Sequence, residues 1–569
     1  MQKHFQENKA IILFTMAWFI INLIQAYFTE ITEDEAYYWV YSQFPAWGYY
    51  DHPPMIAFLV KLGYSLFPNE LGVRLIPSLL GAGTIYGIWH LIPEGSRNQR
   101  IFIWSIFAVT LMHLNVAGFL ALPDIPLVFF TTLYFLVLKK YLHDDRMLQA
   151  ILVGIIVALM MYSKYHTMLI LFFTLVAEWK LLLRRSFWLI VAIAVILYLP
   201  HILWQYKHDF VSFQYHLISR NDPFQPRQIL EYLGNQLLVT GPFVGVILLY
   251  LAFVRRATGS FERVLKFNFI GFFGFFLVSS VRGHVEPHWT AAAFPPLIVL
   301  AMMNIHEFPR LQKWLKILAV ASIPLIMVIR IYLVWNILPL PMNVSRMFHE
   351  KDVWAAQIED VAGDRPVVFM NKYQYPSLYW FYTKKKAFSR NTMFYRRNQY
   401  DVWPLESELE GNRVLLTRWG KTDSTNILTT IFGDVPYYEI DSYCSFNRLK
   451  IDILEKDPIA KTGETIFVPI RISNPTALEV SLDYDCDSNL SPMLMCTFVD
   501  EERGRQYFAL DPQPELGSLE PKEEILLDVR INAPADPGKY SLIISFGSYL
   551  LYPGINGAPV ELTVTSDLQ

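Results

Sequence analysis

Residues 122–183 read LPDIPLVFFTTLYFLVLKKYLHDDRMLQAILVGIIVALMMYSKYHTMLILFFTLVAEWKLLL. An apolar run over 123–141 meets a basic turn at Lys139, Lys140 and Arg146. A second run over 148–163 follows, then the polar Tyr162-Ser-Lys-Tyr-His166, then a third run over 166–183 that ends beside Lys180, Arg184 and Arg185. A helix crossing a bilayer needs about 20 predominantly apolar residues. Three consecutive runs near that length, with basic residues at alternate ends, read as membrane helices folding back on one another rather than as the core of a soluble protein. Working outward, further runs occupy 10–28, 72–92, 101–121, 187–206, 236–254, 265–281, 289–304 and 316–338, about eleven in all. The first lacks a following small-residue cleavage site and is expected to be a span, not a signal peptide.

Composition agrees. Of 569 residues, 53% are apolar and only 17% charged, against about 25% charged in an average soluble domain. Mean hydropathy is +0.28. The net charge of −3 provides no basic field for a polyanion, which excludes a nucleic-acid binder. No glycine-rich phosphate loop stands in an inner segment, which disfavours a nucleotide-driven pump and an enzyme using a cytoplasmic nucleotide sugar. With the N-terminus inside, 17 Lys and Arg fall in inner segments against six in outer ones. This bias sets the orientation and, after an odd number of spans, places everything beyond about residue 340 outside.

That outer part has two textures. Residues 343–445 mix strand patterns (Pro366–Met370, Val414–Thr417) with a short aromatic helix or turn from Pro376 to Tyr382, an α/β segment. From 446 to 569 the apolar positions alternate with period two, as in Glu464–Ile472, Ile525–Ile531 and Tyr540–Phe546. Seven or eight such strands, punctuated by Pro, Gly, Asn and Asp, predict an Ig-like antiparallel β-sandwich. The expected domains are therefore 1–342, a transmembrane bundle, then 343–445 and 446–569. The cysteines Cys444, Cys486 and Cys496 all lie in the outer part. Cys486 and Cys496 either pair there or remain two buried thiols.

Ionisable groups near a membrane are costly and call for a reason. Five unusual segments open to the same outer face. The first runs from Thr32-Glu-Asp-Glu-Ala-Tyr-Tyr-Trp39 to Trp47-Gly-Tyr-Tyr-Asp-His-Pro-Pro54. Its carboxylates Asp34, Glu35 and Asp51 suit a general base or hydroxyl contacts, and its aromatics Tyr37, Tyr38, Trp47 and Tyr50 suit sugar stacking. An amphipathic interfacial helix with solvated acids is the other reading. The second is Asp124, alone between two apolar runs, a helix cap, part of a site, or both. The third is Lys164, whose partner is either a phosphate or an acidic loop residue. The fourth is the basic loop of about 205–235, with Lys207, His208, His216, Arg220 and Arg227, either beside an anionic headgroup or solvated. The fifth is Arg282, His284, Glu286 and His288, whose spacing fits phosphate or sugar contacts better than zinc. An anionic, lipid-borne, sugar-like substrate accounts for this inventory.

Taken in order, Asp34–Trp39, Tyr49–Pro54, Val73-Arg-Leu-Ile-Pro-Ser78, Pro123–Leu127, Ser163–His166, Val285–Trp289 and Arg396-Arg-Asn-Gln-Tyr-Asp-Val-Trp403 resemble the membrane-embedded GT-C glycosyltransferases. The chain is similar to the bacterial branch of the dolichyl-phosphate-mannose–protein mannosyltransferase superfamily, which includes the lipid A aminoarabinose transferases, over roughly residues 10–400. The resemblance implies an inverting transferase at the outer face of a bacterial inner membrane, with a polyprenyl-phosphate-linked sugar as donor, a lipid, glycan or protein as acceptor, and membrane lipids around it. It implies Asp34 as catalytic carboxylate and Asp124 as a second acid. It implies Lys164 and Arg74 at the lipid phosphate, and His52 where aminoarabinose transferases carry a lysine. The expected donor-phosphate set is Lys164, Arg74, His52, His166 and Arg282. Glu35 is grouped with the catalytic acids. Asp51, Tyr37, Tyr38, Trp47, Tyr50, Glu286 and His288 are expected at sugar or acceptor. No cofactor is required, and a divalent metal is left open. The alternative is a transporter or flippase for lipid-linked sugars, though no internal repeat favours it. The resemblance assigns the sandwich no role.

Overall fold

Apolar runs joined by short polar turns fold as helices packed on one another, and the computed structural model has that arrangement. It describes residues 2–109, 118–217, 225–418, 426–444, 446–477, 479–480, 482, 490–500 and 504–566. Two compact units divide the chain, Met1–Lys351 and Asp352–Gln569.

The first unit is helical: α1 (Gln2–Phe28), α2 (Glu33–Gln43), α3 (Met55–Tyr64), α4 (Glu70–Leu91), α5 (Gln99–Val109), α6 (Asp124–His143), α7 (Met147–Ser163), α8 (Thr167–Ala177), α9 (Arg185–Lys207), α10 (Val211–Leu217), α11 (Pro226–Thr240), α12 (Gly245–Val254), α13 (Ser260–Ser279), α14 (Phe294–Asn304) and α15 (Pro309–Tyr332). Each apolar run coincides with one or two of these over its described residues; residues 110–117 of the 101–121 run lie outside them. Among the described residues, six helical stretches are long and apolar enough to cross a membrane, and a seventh if α11 and α12, bent by 97°, count as one. The others are shorter or more polar. α14 is buried along its whole length, at the centre of a core with Trp89, Phe135 and Phe272. α9 and α15 instead expose large apolar side chains such as Trp188, Ile196, Trp314 and Met327, the surface a helix presents to lipid tails.

The segment expected as an acidic outer loop is mostly helix. α2 is buried from Glu35 to Ser42, so it is neither a solvated loop nor an interfacial helix with one wet face. It packs on α3, and α3 packs on α4.

The first unit ends with the short α16 (Met342–Ser345), and the second opens with α17 (Lys351–Ala362). It contains β1 (Val367–Met370), α18 (Gln374–Thr383), β2 (Ala387–Arg390), β3 (Val414–Thr417), β4 (Ile427–Thr430) and β5 (Gly433–Ile440) in one sheet of order β2-β1-β3-β5-β4. β1 pairs in parallel with β2 and β3, β5 is antiparallel to β3, and β4 forms the edge antiparallel to β5. Eight strands follow: β6 (Lys450–Ile453), β7 (Ile459–Lys461), β8 (Thr465–Ser473), β9 (Met493–Asp500), β10 (Gly504–Ala509), β11 (Glu524–Asn532), β12 (Gly538–Gly547) and β13 (Val560–Thr565). They form sheets of order β10-β9-β12-β13-β7 and β11-β8-β6. Alternation along β8, with Val468, Ile470 and Ile472 inward, is the cause of the two-layer form. One pair, β13 with β7, is parallel, so the sandwich is not purely antiparallel. Of the two readings for Cys486 and Cys496, their pairing is excluded: Cys496, within β9, is a buried free thiol, while Cys444 is disulfide-bonded. Cys486 lies outside the described residues.

The Arg396–Trp403 motif makes a tight turn. Asn398 and Asp401 form a capping box, and Asp401 accepts from both the Asn398 N–H (2.8 Å) and the Asn391 side-chain amide (2.8 and 2.9 Å). Burial pushes the Asp401 carboxyl up to about 6, against these hydrogen bonds. A carboxyl whose folded value is raised holds its proton more readily when folded. Its effect therefore favours the folded state as pH falls through about 6. Between pH 7 and pH 5 the gain is expected to be about 1 kcal/mol. Thermal unfolding of the purified chain across this range should show it, and Asp401→Asn should flatten that slope.

Candidate active site

The α6–α7 hairpin sets the first part of the site. Its two helices are antiparallel and joined by residues 144–146, so the start of α6 and the end of α7 lie at one end of the bundle. Asp124 stands in the first turn of α6 and Lys164 follows the last residue of α7. Each charge complements its helix dipole. Lys164 Nζ donates to both Asp124 oxygens, at 2.8 and 2.9 Å, and both residues are buried. Of the two readings for Lys164, the acidic partner is therefore present. Asp124 is not the N-cap, a position Pro123 holds without a side-chain cap bond.

The second part is the α1–α2 corner. Thr32 and Glu35 form a capping box at the start of α2, a pattern legible in Thr32-x-x-Glu35. Glu35 is fully buried and also accepts from Ala121 N–H at 2.8 Å and from Arg74 at 2.6 and 2.7 Å. The remaining Arg74 donors go to the carbonyls of Ala26, Thr29 and Glu30, at 3.0, 2.5 and 2.8 Å. All five guanidinium N–H groups are thus used at the end of α1 and the beginning of α2. This corrects two assignments. Arg74, 0% exposed, has no donor left for a lipid phosphate, and Glu35 is an internal strut rather than a reacting acid. Together they fix the backbone that carries Asp34. Asp34 itself, one residue before Glu35, is exposed.

The third part is the 282–289 segment. His288 Nε2 lies 3.7 Å from Asp124 Oδ2, and its imidazole feels the charges of Asp124, Lys164, Glu286 and Asp34. Residues from four separate stretches therefore converge on one electrostatic neighbourhood. His284 turns to Glu286 at 3.7 Å instead. Among the described residues, no group of three or more His, Cys, Asp or Glu is placed to hold a metal ion.

A cleft of about 420 Å³ adjoins this neighbourhood. Lys164, His52, His166 and Arg282 line it together, so four of the five expected phosphate residues share one cavity, the exception being Arg74. Apolar groups line it as well: Met168 and Leu169 from α8, Phe275 and Phe276 from α13, and Trp289. His166 packs against both Phe276 and Trp289, with centroids at 5.3 and 5.6 Å. This apolar lining was missed in the sequence, because in an apolar run a lining phenylalanine reads the same as a lipid-facing one.

Tyr165, also missed, lines the cleft and is held from behind. Its hydroxyl donates to His201 Nε2 (3.1 Å) and accepts from Gln205 (3.0 Å), while His201 Nδ1–H donates to the Trp47 carbonyl (2.6 Å). The aromatic candidates divide. Trp47 is half exposed, beside Phe58 and Tyr162. Tyr37, Tyr38 and Tyr50 are buried: Tyr37 and Tyr38 pack with Tyr41, and Tyr50 packs with Tyr215. Covered by other rings, they offer no open faces for stacking, and none of the three lines the cleft. Asp51 is buried near Tyr41 and Tyr165. In the basic loop, His208 stacks on Trp204, and Arg227 pairs with Glu231 at 2.6 Å at the surface. Arg220 and the side chain of His216 lie outside the described residues.

Comparison with known proteins adds three findings. Residues 51–204 match the dolichyl-phosphate-mannose-protein mannosyltransferase family model. The chain is 23% identical over 314 residues to the lipid A galacturonosyltransferase RgtD of Rhizobium johnstonii, a stretch covering 52% of this chain and 65% of that relative, just under two thirds of its length. In structure it is similar to ArnT from Cupriavidus metallidurans. The apo form matches with TM-score 0.57 at 13% identity, and the form bound to undecaprenyl phosphate with TM-score 0.56 at 14% identity. Each match covers 76% of this chain and 98% of that one.

Proposed function

From a membrane protein with the GT-C fold, we propose an inverting glycosyltransferase that moves a monosaccharide from a polyprenyl-phosphate donor to a hydroxyl acceptor at the outer face of a bacterial inner membrane. The observation that carries this reading is the cleft. Lys164, Arg282, His52 and His166 line it with Met168, Phe275, Phe276 and Trp289, which suits a phosphate joined to a hydrocarbon chain. The undecaprenyl phosphate bound to ArnT and the transferase named in RgtD support it. The lysine and arginine bias places the N-terminus in the cytoplasm and residues 352–569 outside.

In this mechanism the Asp34 carboxylate accepts the proton of the acceptor hydroxyl. The hydroxyl oxygen forms a bond to the anomeric carbon from the face opposite the phosphate. The anomeric carbon–oxygen bond breaks, and the polyprenyl phosphate leaves with the electron pair. Lys164 and Arg282 stabilise the charge gathering on that phosphate. Asp124 holds the Lys164 ammonium aimed and, with Glu286 and His288, contacts the sugar or acceptor.

The test is purified protein in proteoliposomes with a polyprenyl-phosphate sugar and an envelope glycolipid extract. Stoichiometric release of free polyprenyl phosphate is expected. A lipid that changes leaflet with its sugar intact would establish the flippase alternative instead. A charge-assisted hydrogen bond contributes about 1.5–3 kcal/mol, so Lys164→Gln should weaken donor binding ~10- to 100-fold. Unchanged donor affinity would remove the phosphate role of Lys164.

A further inference from the structure

The second unit carries an arginine and aromatic cluster that the transferase reading does not use. Phe394, from the turn after β2, meets Tyr507 of β10 and Tyr552 from the segment after β12, with centroids 5.4 and 6.0 Å away. Tyr507 and Tyr552 are 5.7 Å apart, closing a triangle of rings. Two guanidinium groups lie against it: Arg418 is 4.2 Å from the Tyr552 centroid and Arg505 is 5.1 Å from that of Phe394. Arg396, two residues from Phe394 and exposed, lies 5.3 Å from the Tyr373 ring.

The cluster is built. Met393 N–H donates to the Pro553 carbonyl at 3.0 Å, and Arg418 Nη1 donates to the Leu550 carbonyl at 3.1 Å. These bonds tie the end of the α/β sheet to the sandwich, both within one compact unit. The rings are only partly covered: Tyr507 is 40% exposed, and Phe394 and Tyr552 are half-buried. Neither Arg418 nor Arg505 has a carboxylate partner among the described residues. An arginine stacked on a ring loses little further freedom on binding, and its N–H edge matches the two oxygens of a phosphate or carboxylate. Exposed ring surface beside it suits the C–H face of a pyranose.

We propose that Phe394, Arg418, Arg505, Tyr507 and Tyr552 form a binding site for an anionic saccharide, one carrying a phosphate or carboxylate on a sugar ring. That this saccharide is the acceptor of the transferase rests on the function proposed above. Binding to the cluster does not, so direct binding is the measurement.

The probe is a phosphorylated chito-disaccharide, titrated calorimetrically against the full chain in nanodiscs of zwitterionic lipid. The unphosphorylated disaccharide and inorganic phosphate serve as comparisons. The phosphorylated sugar should bind at least tenfold more tightly than either, and more weakly as salt rises. Arg505→Gln, at an exposed position, should weaken it about tenfold. Arg418→Lys keeps the charge but loses the fork and the stacking, and should weaken it as well. Equal affinity in wild type and Arg505→Gln would overturn the site. So would equal binding of inorganic phosphate and the phosphorylated sugar. Displacement by a short-chain phosphatidylglycerol as effective as by the sugar would assign the cluster to a lipid headgroup and overturn the saccharide. A chain that binds the sugar yet releases no polyprenyl phosphate keeps the site and removes the transferase reading.

Discussion

Asp34→Asn leaves the chain folded and lowers turnover by about 10²- to 10⁴-fold, the usual worth of a general base. The position makes this a clean experiment. Asp34 is exposed in the first turn of α2, where a carboxylate gains only about 0.3–1 kcal/mol from the helix dipole. Asparagine keeps its shape, and the capping box of Thr32 and Glu35 is untouched. The measurement is single-turnover sugar transfer at saturating donor, with donor affinity determined separately. A low rate with unchanged affinity is the expected pattern. Full activity in Asp34→Asn would eliminate this residue as the base.

Arg74→Ala shows the opposite pattern: loss of folded protein with no separate catalytic defect to measure. The substitution leaves Glu35 charged and buried without its main partner and frees three carbonyls around the end of α1. Breaking a buried ion pair from one side costs about 3–5 kcal/mol, a large share of an ordinary protein's stability. Glu35→Gln removes the charge but keeps an acceptor, and should cost less. The pair Arg74→Met with Glu35→Gln restores charge balance but not the carbonyl partners, so recovery should be partial. Detergent-solubilised yield and thermal unfolding report all three. Normal stability in Arg74→Ala would return Arg74 to the list of groups available to a phosphate.

These two predictions separate what a first reading of residues 33–35 joined. Three acids in a row, Glu33-Asp-Glu35, look equivalent as letters. The helix turns them to different surroundings: Glu35 three residues after the cap Thr32 points back into protein, whereas Asp34 points outward. The capping pattern was available to find this. The counterpart at Arg74 was not, since nothing near Val73–Ser78 says which carbonyls and which carboxylate lie across from it.

Much else was legible. Apolar runs of bilayer length and basic residues at alternate ends specify a helical bundle and its hairpins, because burial and charge act on each segment locally. The period-two pattern after residue 446 specifies strands for the same reason. Hairpin topology also places Asp124, Lys164 and the 282–288 segment at one end of the bundle. Which of these touch is another matter. Lys164 meets Asp124 across 40 residues of chain and Arg74 meets Glu35 across 39. Coulomb and hydrogen-bond energies in a poorly solvated site change steeply over a few ångströms, and helix packing alone sets those distances. The residue types and the end of the bundle on which they stand were thus written in the order of amino acids. The division of those charges into struts and cleft-lining groups came from how the helices pack.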